Sequence, residues 1–549
     1  MQKEYTCRTY LLMALTWSVL SALMGCTGNE SEDSKSVFYY NESNGITSLD
    51  PAFSRDIEAM WVTNQLFDGL VELDSAMQVV PCIANRWKIS DDGLHYTFHL
   101  RDDVFFHPSP LFADSTHRRV TASDFVFSFN RLLDPELASP ATWIFSSVDR
   151  SANGGFIAHN DSTLEIILRE PFRPFLSILT MQYCNVVPRE VVEYYGPDFR
   201  AHPIGTGPFK FAFWYEQVAL VFHKHTSYWM RDSGGNRLPY LDAVKIDFVK
   251  DMSVEFQGLL QGKYDFMSGI HSAFKDELLD AEGNLHPMYA NRIRFQRTPF
   301  IKTDYLGILM DSSAAINRDS PLKDVRVRRA ISYAINKEEM VAYLRNNTVF
   351  PAESGFVPPM LNQSNTQSFY SYNPVEAKRL LAEAGYPDGK GMPEVVISTT
   401  GDYTDLMEYI QHELEKIGIP VRINVLQGPA LREQSAKALL AVFRKSWLAD
   451  YADAENFLTV FYSPNFCPNG PNYTHYKNER FDKWYQQCRI ERNDSIRAAI
   501  IRDMNNLLME DAPVIPLYYD QVSHFVRSNI SGLQTNPVNM LDLRPVRKN

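Results

Sequence analysis

At 549 residues the chain is long enough for several domains. Its formal charge of −12, from 54 Lys and Arg against 66 Asp and Glu, argues against nucleic acid or an anionic membrane surface as a partner. With 45% hydrophobic and 13% aromatic residues and 31 prolines it is a packed, loop-rich chain, which excludes wholesale disorder.

The amino terminus predicts export. Lys3 and Arg8 precede an apolar run over 11–23, too short for a comfortable membrane span, and Leu23-Met24-Gly25-Cys26 closes it. A basic start, a short apolar core and a small residue before a cleavage point describe a secretory signal over 1–25. The cysteine directly after it resembles a bacterial lipobox, which makes Cys26 the lipid-bearing mature terminus. Residues 26–36 are polar and aperiodic, a flexible tether. Its acidic run Glu30-Ser31-Glu32-Asp33 resembles tethers that send some Gram-negative lipoproteins to the cell surface. The expected location is therefore the cell envelope, facing the periplasm or the outer surface.

Without Cys7 and Cys26, four cysteines remain: Cys82, Cys184, Cys467 and Cys488. An exported protein is free to form disulfides. Cys467 and Cys488 bracket a short loop rich in Pro, Gly and Asn and are the favoured pair, with free, partly buried thiols the equal alternative.

In the body, Val37–Tyr40 reads as a strand, and Ile57, Trp61, Val62, Leu66 and Phe67 lie at helical spacing. Asp92-Gly93 is a two-residue turn signal inside a hairpin over 86–101. After it Leu94, Tyr96, Phe98 and Leu100 alternate with polar residues, a strand with one buried face. A helix over 121–131, a strand over 163–168 and an alternating strand through Phe209, Phe211 and Phe213 follow. Gly205-Thr206-Gly207 offers the freedom for a tight bend before that last strand. Asn373-Pro374-Val375-Glu376 carries the signals of a helix start, and Gly385 closes the helix. A strand at 395–398, a helix through Leu406, Ile410, Leu414 and Ile417 ending at Gly418, and a strand at 421–425 come next. That alternation predicts an α/β unit with a mostly parallel sheet.

Several of these segments, in this order, resemble one family. They are Gly93–His107, Thr121–Arg131, Ile204–Phe209, Thr226–Trp229, Leu238–Phe248 and Asp324–Asn336. The chain resembles the bacterial extracellular solute-binding proteins of family 5, which feed peptide ABC importers, over about residues 37–530. The resemblance implies an α/β, two-lobed periplasmic-binding-protein-like fold (type II, cluster C) with an extra inserted lobe and two hinge crossings. On that basis lobe I comprises 37–75, 205–299 and 521–549, the inserted lobe 76–204, and lobe II 300–520. The crossings fall near 299–310 and 516–522. The implied function is capture of short peptides by a monomeric lipoprotein, by hinge closure, for delivery to permease subunits.

In peptide-binding members a Trp-x-Ala-Asp-Tyr-type segment lies in the cleft, and here it reads Trp447-Leu448-Ala449-Asp450-Tyr451. The resemblance assigns Asp450 to the peptide ammonium, Arg444 to its terminal carboxylate, and Trp447 and Tyr451 to ligand contact. An ammonium buried without a partner costs several kcal/mol, and Arg offers a bidentate fork to a carboxylate. The bland alternatives are that Asp450 and Asp453 cap a helix starting at Glu455, Arg444 is a solvated charge and Trp447 is core. Two departures from the family stand out: Ala454 where many members have Pro, and Lys445 beside Arg444. The same fold binding a metal chelate, haem or an oligosaccharide is the second functional reading.

No enzyme reading survives inspection. There is no Gly-x-Ser-x-Gly elbow, and Lys416 stands where the second His of a zincin motif begun by His412-Glu413 belongs. Gly385–Lys390 is one residue short of a phosphate loop. His223 and His225 share a strand face, but a pair without a third ligand is seldom a metal site. No cofactor and no metal is expected.

Overall fold

A computed structural model describes residues 36–549 apart from 152–153 and 363–364. The predicted signal over 1–25, Cys26 and nearly all of the tether lie outside the described residues.

One long mixed sheet organises the body. Its strands run, in spatial order, Val421–Val425, Val395–Thr399, Val442–Leu448, Ile293–Ile308, Val514–Arg527, Phe266–Ser268, Val37–Asn41, Ala243–Asp247, Ala219–Lys224 and Phe209–Tyr215. The two central strands are the longest, at 16 and 14 residues, and pair antiparallel along most of their length. On one side Val37–Asn41 pairs parallel with Ala243–Asp247 and Phe266–Ser268. On the other, Val395–Thr399 pairs parallel with Val421–Val425 and Val442–Leu448. The sheet thus serves two α/β halves, and the two central strands belong to both.

The register of the central pairing shifts twice, between Pro299 and Thr303 and again between Asp304 and Tyr305, and the first interruption is the wider. Pro299 faces Gln521, the register resumes at Thr303 opposite Tyr519, and the residues between are bulged. Lys302 and Asp520, both in the interruption, form an ion pair at 2.6 Å. Ladder hydrogen bonds are missing here, so this is where the sheet bends at least cost.

A separate four-stranded sheet, Ala84–Ile89, His95–Leu100, Thr163–Ile167 and Phe156–Asn160, forms the body of the segment between the first helix and Gly205. The predicted hairpin is present, and Tyr96, Phe98 and Leu100 are its buried face. Helix Ala122–Leu132 covers this sheet; Thr121 and Asp124 close its first turn as a reciprocal capping box. Arg131 at its far end reaches Asp50 at 2.5 Å and ties the segment to the loop before helix Ile57–Leu66. The later helix signals also hold. Asn373 caps Pro374–Glu383 through the Glu376 amide, and Gly385 takes φ +95° just beyond it.

Gly205 and Gly207 have a different reason for being glycine than a bend. Neither takes a positive φ. A Cβ on Gly205 would stand 2.0 Å from the Leu66 carbonyl oxygen, and one on Gly207 2.5 Å from the Leu66 carbonyl carbon. The segment lies against the end of helix Ile57–Leu66, and the Gly207 amide donates to Leu66 O at 2.9 Å. Gly205→Ala should therefore destabilise the fold by about 1–3 kcal/mol or more, because backbone is what the methyl meets. A urea unfolding midpoint equal to that of the native protein would contradict the contact.

Two readings that the sequence left open are decided by the structure. Cys467 and Cys488 do not form a disulfide; all four described cysteines are free and buried. Cys488 faces an apolar core from helix Glu479–Ile490, while Cys467 donates from its loop to Gly470 O at 2.8 Å, so the two thiols serve different surroundings. His223 and His225 do not share a site either. His225 is buried and donates from Nδ1 to Gly207 O at 3.2 Å, edge-to-face with His107, whereas His223 is exposed. Among the described residues no group of three His, Cys, Asp or Glu could hold a metal.

Candidate functional site

Strand Val442–Leu448 runs beside the long strand Ile293–Ile308 and releases its last residues into Ala449-Asp450-Tyr451. Helix Ala454–Leu458 follows at once, and its cap is Asp453, whose carboxylate accepts from the Glu455 amide at 2.8 Å. Asp450 is left free of that duty. One buried residue positions it instead. Asn456, 2% exposed, accepts from the Asp450 amide at 3.1 Å and from the Trp447 indole at 3.0 Å, and donates to Asp450 Oδ2 at 3.2 Å. A single fixed amide thereby sets the direction of the turn and of the carboxylate.

Asp450 opens onto a cavity of about 680 Å³, within the range of small-molecule sites. The wall on its side is Leu448–Tyr451; the opposite wall comes from 55–75, 180–185 and 532–545. Asp450 is solvent-accessible through the cavity yet lies deep among protein atoms. Burial pushes its carboxyl above the usual carboxylate range, and the bond from Asn456 offsets part of this. Among the described residues no Lys, Arg or His pairs with it. It is a fixed, solvent-accessible carboxylate without a cation.

The opposite wall is charged and already paired. Arg544 holds Glu72 at 2.8 Å and Asp542 at 2.9 Å. Asp68 accepts from Thr206, Tyr228 and Trp229 at 2.9, 2.9 and 3.3 Å. Thr206, Tyr228 and Trp229 fall in segments that resemble the family, but no motif marks Asp68, Glu72, Asp542 or Arg544. They meet only because the chain's last segment returns beside helix Ile57–Leu66, where Asn64 and Gln65 both donate to Leu541 O.

The other expected site residues are placed as follows. Tyr451 lines the cavity, but its hydroxyl is committed to Glu455. Trp447 does not line the cavity; it packs beside the core that holds Phe457 and Phe461, in accord with the core alternative. Arg444 is neither a solvated charge nor turned to the cavity. It is 8% exposed, its guanidinium donates to both carboxylate oxygens of Asp304, and it lies over the Tyr403 ring at 3.2 Å. Burial alone would lower its pKa; Asp304 beside it outweighs that and raises it. Side chains alternate between faces, so Arg444 and Trp447, three apart, stand on opposite sides of the sheet, and neither lines the cavity. Lys445 lies over Tyr473 at 3.1 Å, where burial lowers its amine to about 8.

Residues 172–173 also touch helices Glu479–Ile490 and Asp494–Asp511. Arg173 donates its amide to Arg489 O at 2.8 Å and pairs with Asp494 at 2.6 Å, and Arg489 lies 4.8 Å over Phe172.

Two α/β halves sharing their central strands, with a polar cavity lined from both, define a two-lobed solute-binding protein. Residues 78–466 match the model of the bacterial extracellular solute-binding proteins, family 5 Middle, and the chain belongs to that family. It is 26% identical to the dipeptide-binding protein DppE of Bacillus subtilis, with 98% of each chain covered. It is 26% identical to di/tripeptide-binding protein 2 of Pseudomonas aeruginosa, covering 85% of this chain and 86% of the other. Among solved structures, the periplasmic binding protein DppA of Helicobacter pylori, in complex with the peptide STSA, superposes with a TM-score of 0.75 at 25% identity. That match covers 94% of this chain and 98% of the other. No helix among the described residues is long and apolar enough to cross a membrane.

Proposed function

We infer that the protein is a lipid-anchored substrate-binding component of an ABC importer, capturing short peptides between its lobes and presenting them to a permease. The observation that carries this reading is Asp450. An accessible carboxylate, held by Asn456 and left without a cation, is the partner a buried peptide ammonium needs. The relatives named as dipeptide- and di/tripeptide-binding proteins, and the neighbour holding a four-residue peptide, support the same ligand class. Neutral sugars would leave the carboxylate unused. In this reading Tyr451 contributes cavity wall, and Arg444 stays with Asp304.

Lobe I comprises 37–75, 205–299 and 521–549, with 76–204 inserted, and lobe II comprises 300–520. The interruption at Pro299–Thr303 and Tyr519–Gln521 supports placing the hinge there, since few ladder bonds resist rotation. Native mass spectrometry of protein purified from cells tests the ligand class. Peptides of a few residues should be released on unfolding; a metal chelate, haem or oligosaccharide released in their place would refute it.

Cys26 carries the anchor in this reading. Cys26→Ser should abolish incorporation of an alkyne fatty acid and leave the precursor uncleaved. Labelling that survives the substitution would remove the anchor.

A further inference from the structure

A second cavity, of about 330 Å³, lies in lobe I behind the first turn of helix Ile57–Leu66. It is formed where strands Val37–Asn41 and Phe266–Ser268 end and where helix Met252–Gln261 crosses them. Ile57 lines both this cavity and the main one. Three carboxylates face it, Glu42, Glu58 and Glu255, and no Lys or Arg does.

Glu58 and Glu255 are engaged: Asn44 donates to Glu58 at 2.6 Å and Asn41 to Glu255 at 3.3 Å. Glu42 is not. It is 7% exposed, and its carboxylate has no hydrogen-bond or ion-pair partner among the described residues. Burial, then the neighbouring Glu58 and Glu255, raise its pKa well above the usual range. A carboxylate so placed, with neither protein donor nor counter-charge, is costly unless something in the cavity satisfies it. The remaining wall mixes polar residues, among them Ser268, His271 and Asn539, with aromatic ones. Trp61, Phe256, Phe266 and Phe274 line it, with Trp61 and Phe266 edge-on at 5.6 Å and Phe256 stacked on Phe274 at 5.1 Å.

Carboxylates beside aromatic faces suit an organic cation, bound by charge and by ring quadrupoles together. A metal ion is the poorer candidate, because no metal-ligating group of three exists among the described residues. We propose that this cavity binds an alkylammonium or guanidinium group through Glu42. The cation comes either from a basic side chain of the captured peptide or from a free amine. The first source rests on the peptide-carrier reading; the second does not.

Titration calorimetry on the intact mature protein separates the two, with Trp61 fluorescence as a second readout. The probes are n-butylamine and tripeptides carrying one Lys or one norleucine at each position in turn. In the native protein Lys should bind about tenfold tighter than norleucine at one position, and in Glu42→Gln that advantage should vanish while neutral tripeptides bind as before. Butylamine binding that is lost in Glu42→Gln, with no favoured Lys position, assigns the cavity to free amines. Glu255→Gln should weaken the same ligand, and thermal unfolding of both variants guards against a folding defect. If neutral tripeptides fail to bind the native protein, the peptide reading falls and butylamine alone decides the cavity. If neither the Lys advantage nor butylamine binding depends on Glu42 or Glu255, the carboxylates are structural only and the proposal is overturned.

Discussion

Asp450→Ala should weaken peptide binding by roughly 30- to 4,000-fold, corresponding to about 2–5 kcal/mol for truncating one partner of a desolvated ion pair. The size follows from the surroundings. The ligand ammonium would lie among protein atoms with no other cation or carboxylate arranged for it on that wall, and the alanine offers no replacement acceptor. N-acetylation of the peptide removes the other partner and should cost the native protein a similar amount, but the variant much less. Acidity gives an independent signature. The carboxyl of Asp450 is raised by burial, so in the free protein it takes up a proton at higher pH than an exposed carboxylate. The protonated acid cannot pair with an ammonium, so affinity should fall as pH falls through that raised range and be full above it. The variant should lose this dependence. Asn456→Ala leaves the carboxylate present but unheld, and should show a smaller loss of the same kind. Calorimetry with free and N-acetylated peptides across pH checks all three. Unchanged binding in Asp450→Ala would take the residue out of the site and favour a non-peptide ligand.

Much of the fold was readable because each signal was local. Alternation over Leu94–Leu100 is a property of one strand, and Asn373 with Glu376 is a cap written in four residues. Asp450 could be singled out for the same reason, as part of a contiguous segment. Errors arose where a residue's partner is distant in sequence. Arg444 reads as an available cation until Asp304, 140 residues earlier, is placed beside it by the pairing of Val442–Leu448 with Ile293–Ile308. Gly205 reads as a tight bend until the Leu66 carbonyl is found against it. The opposite wall of the cavity, with Asp68, Glu72 and Arg544, has no local signature, since its members are drawn from three separated stretches. Glu42 was invisible for a further reason: what distinguishes it is the lack of a partner, which a sequence cannot display.

Arg444→Ala should cost about 3–5 kcal/mol of folding stability, the usual consequence of breaking a buried ion pair from one side. Asp304 is fully buried, and its two oxygens accept from the Arg444 guanidinium. In the register of the two strands Arg444 stands opposite Leu306, so it reaches Asp304 diagonally across one face of the sheet, closed over by Tyr403. Alanine would leave a carboxylate without charge or donor in a dry place, and the protein must either protonate it or admit water. The double replacement Arg444→Met with Asp304→Leu removes both charges and should recover most of the loss, because desolvating the pair offsets much of its attraction. Urea unfolding of the single and double variants gives the coupling directly. Peptide affinity decides between this role and that of a carboxylate anchor. If Arg444 serves the sheet, the folded fraction of Arg444→Ala binds peptides of every length as the native protein does. A loss confined to one peptide length, with stability unchanged, would mean that the guanidinium leaves Asp304 when ligand arrives and that the pair is a gate rather than a strut.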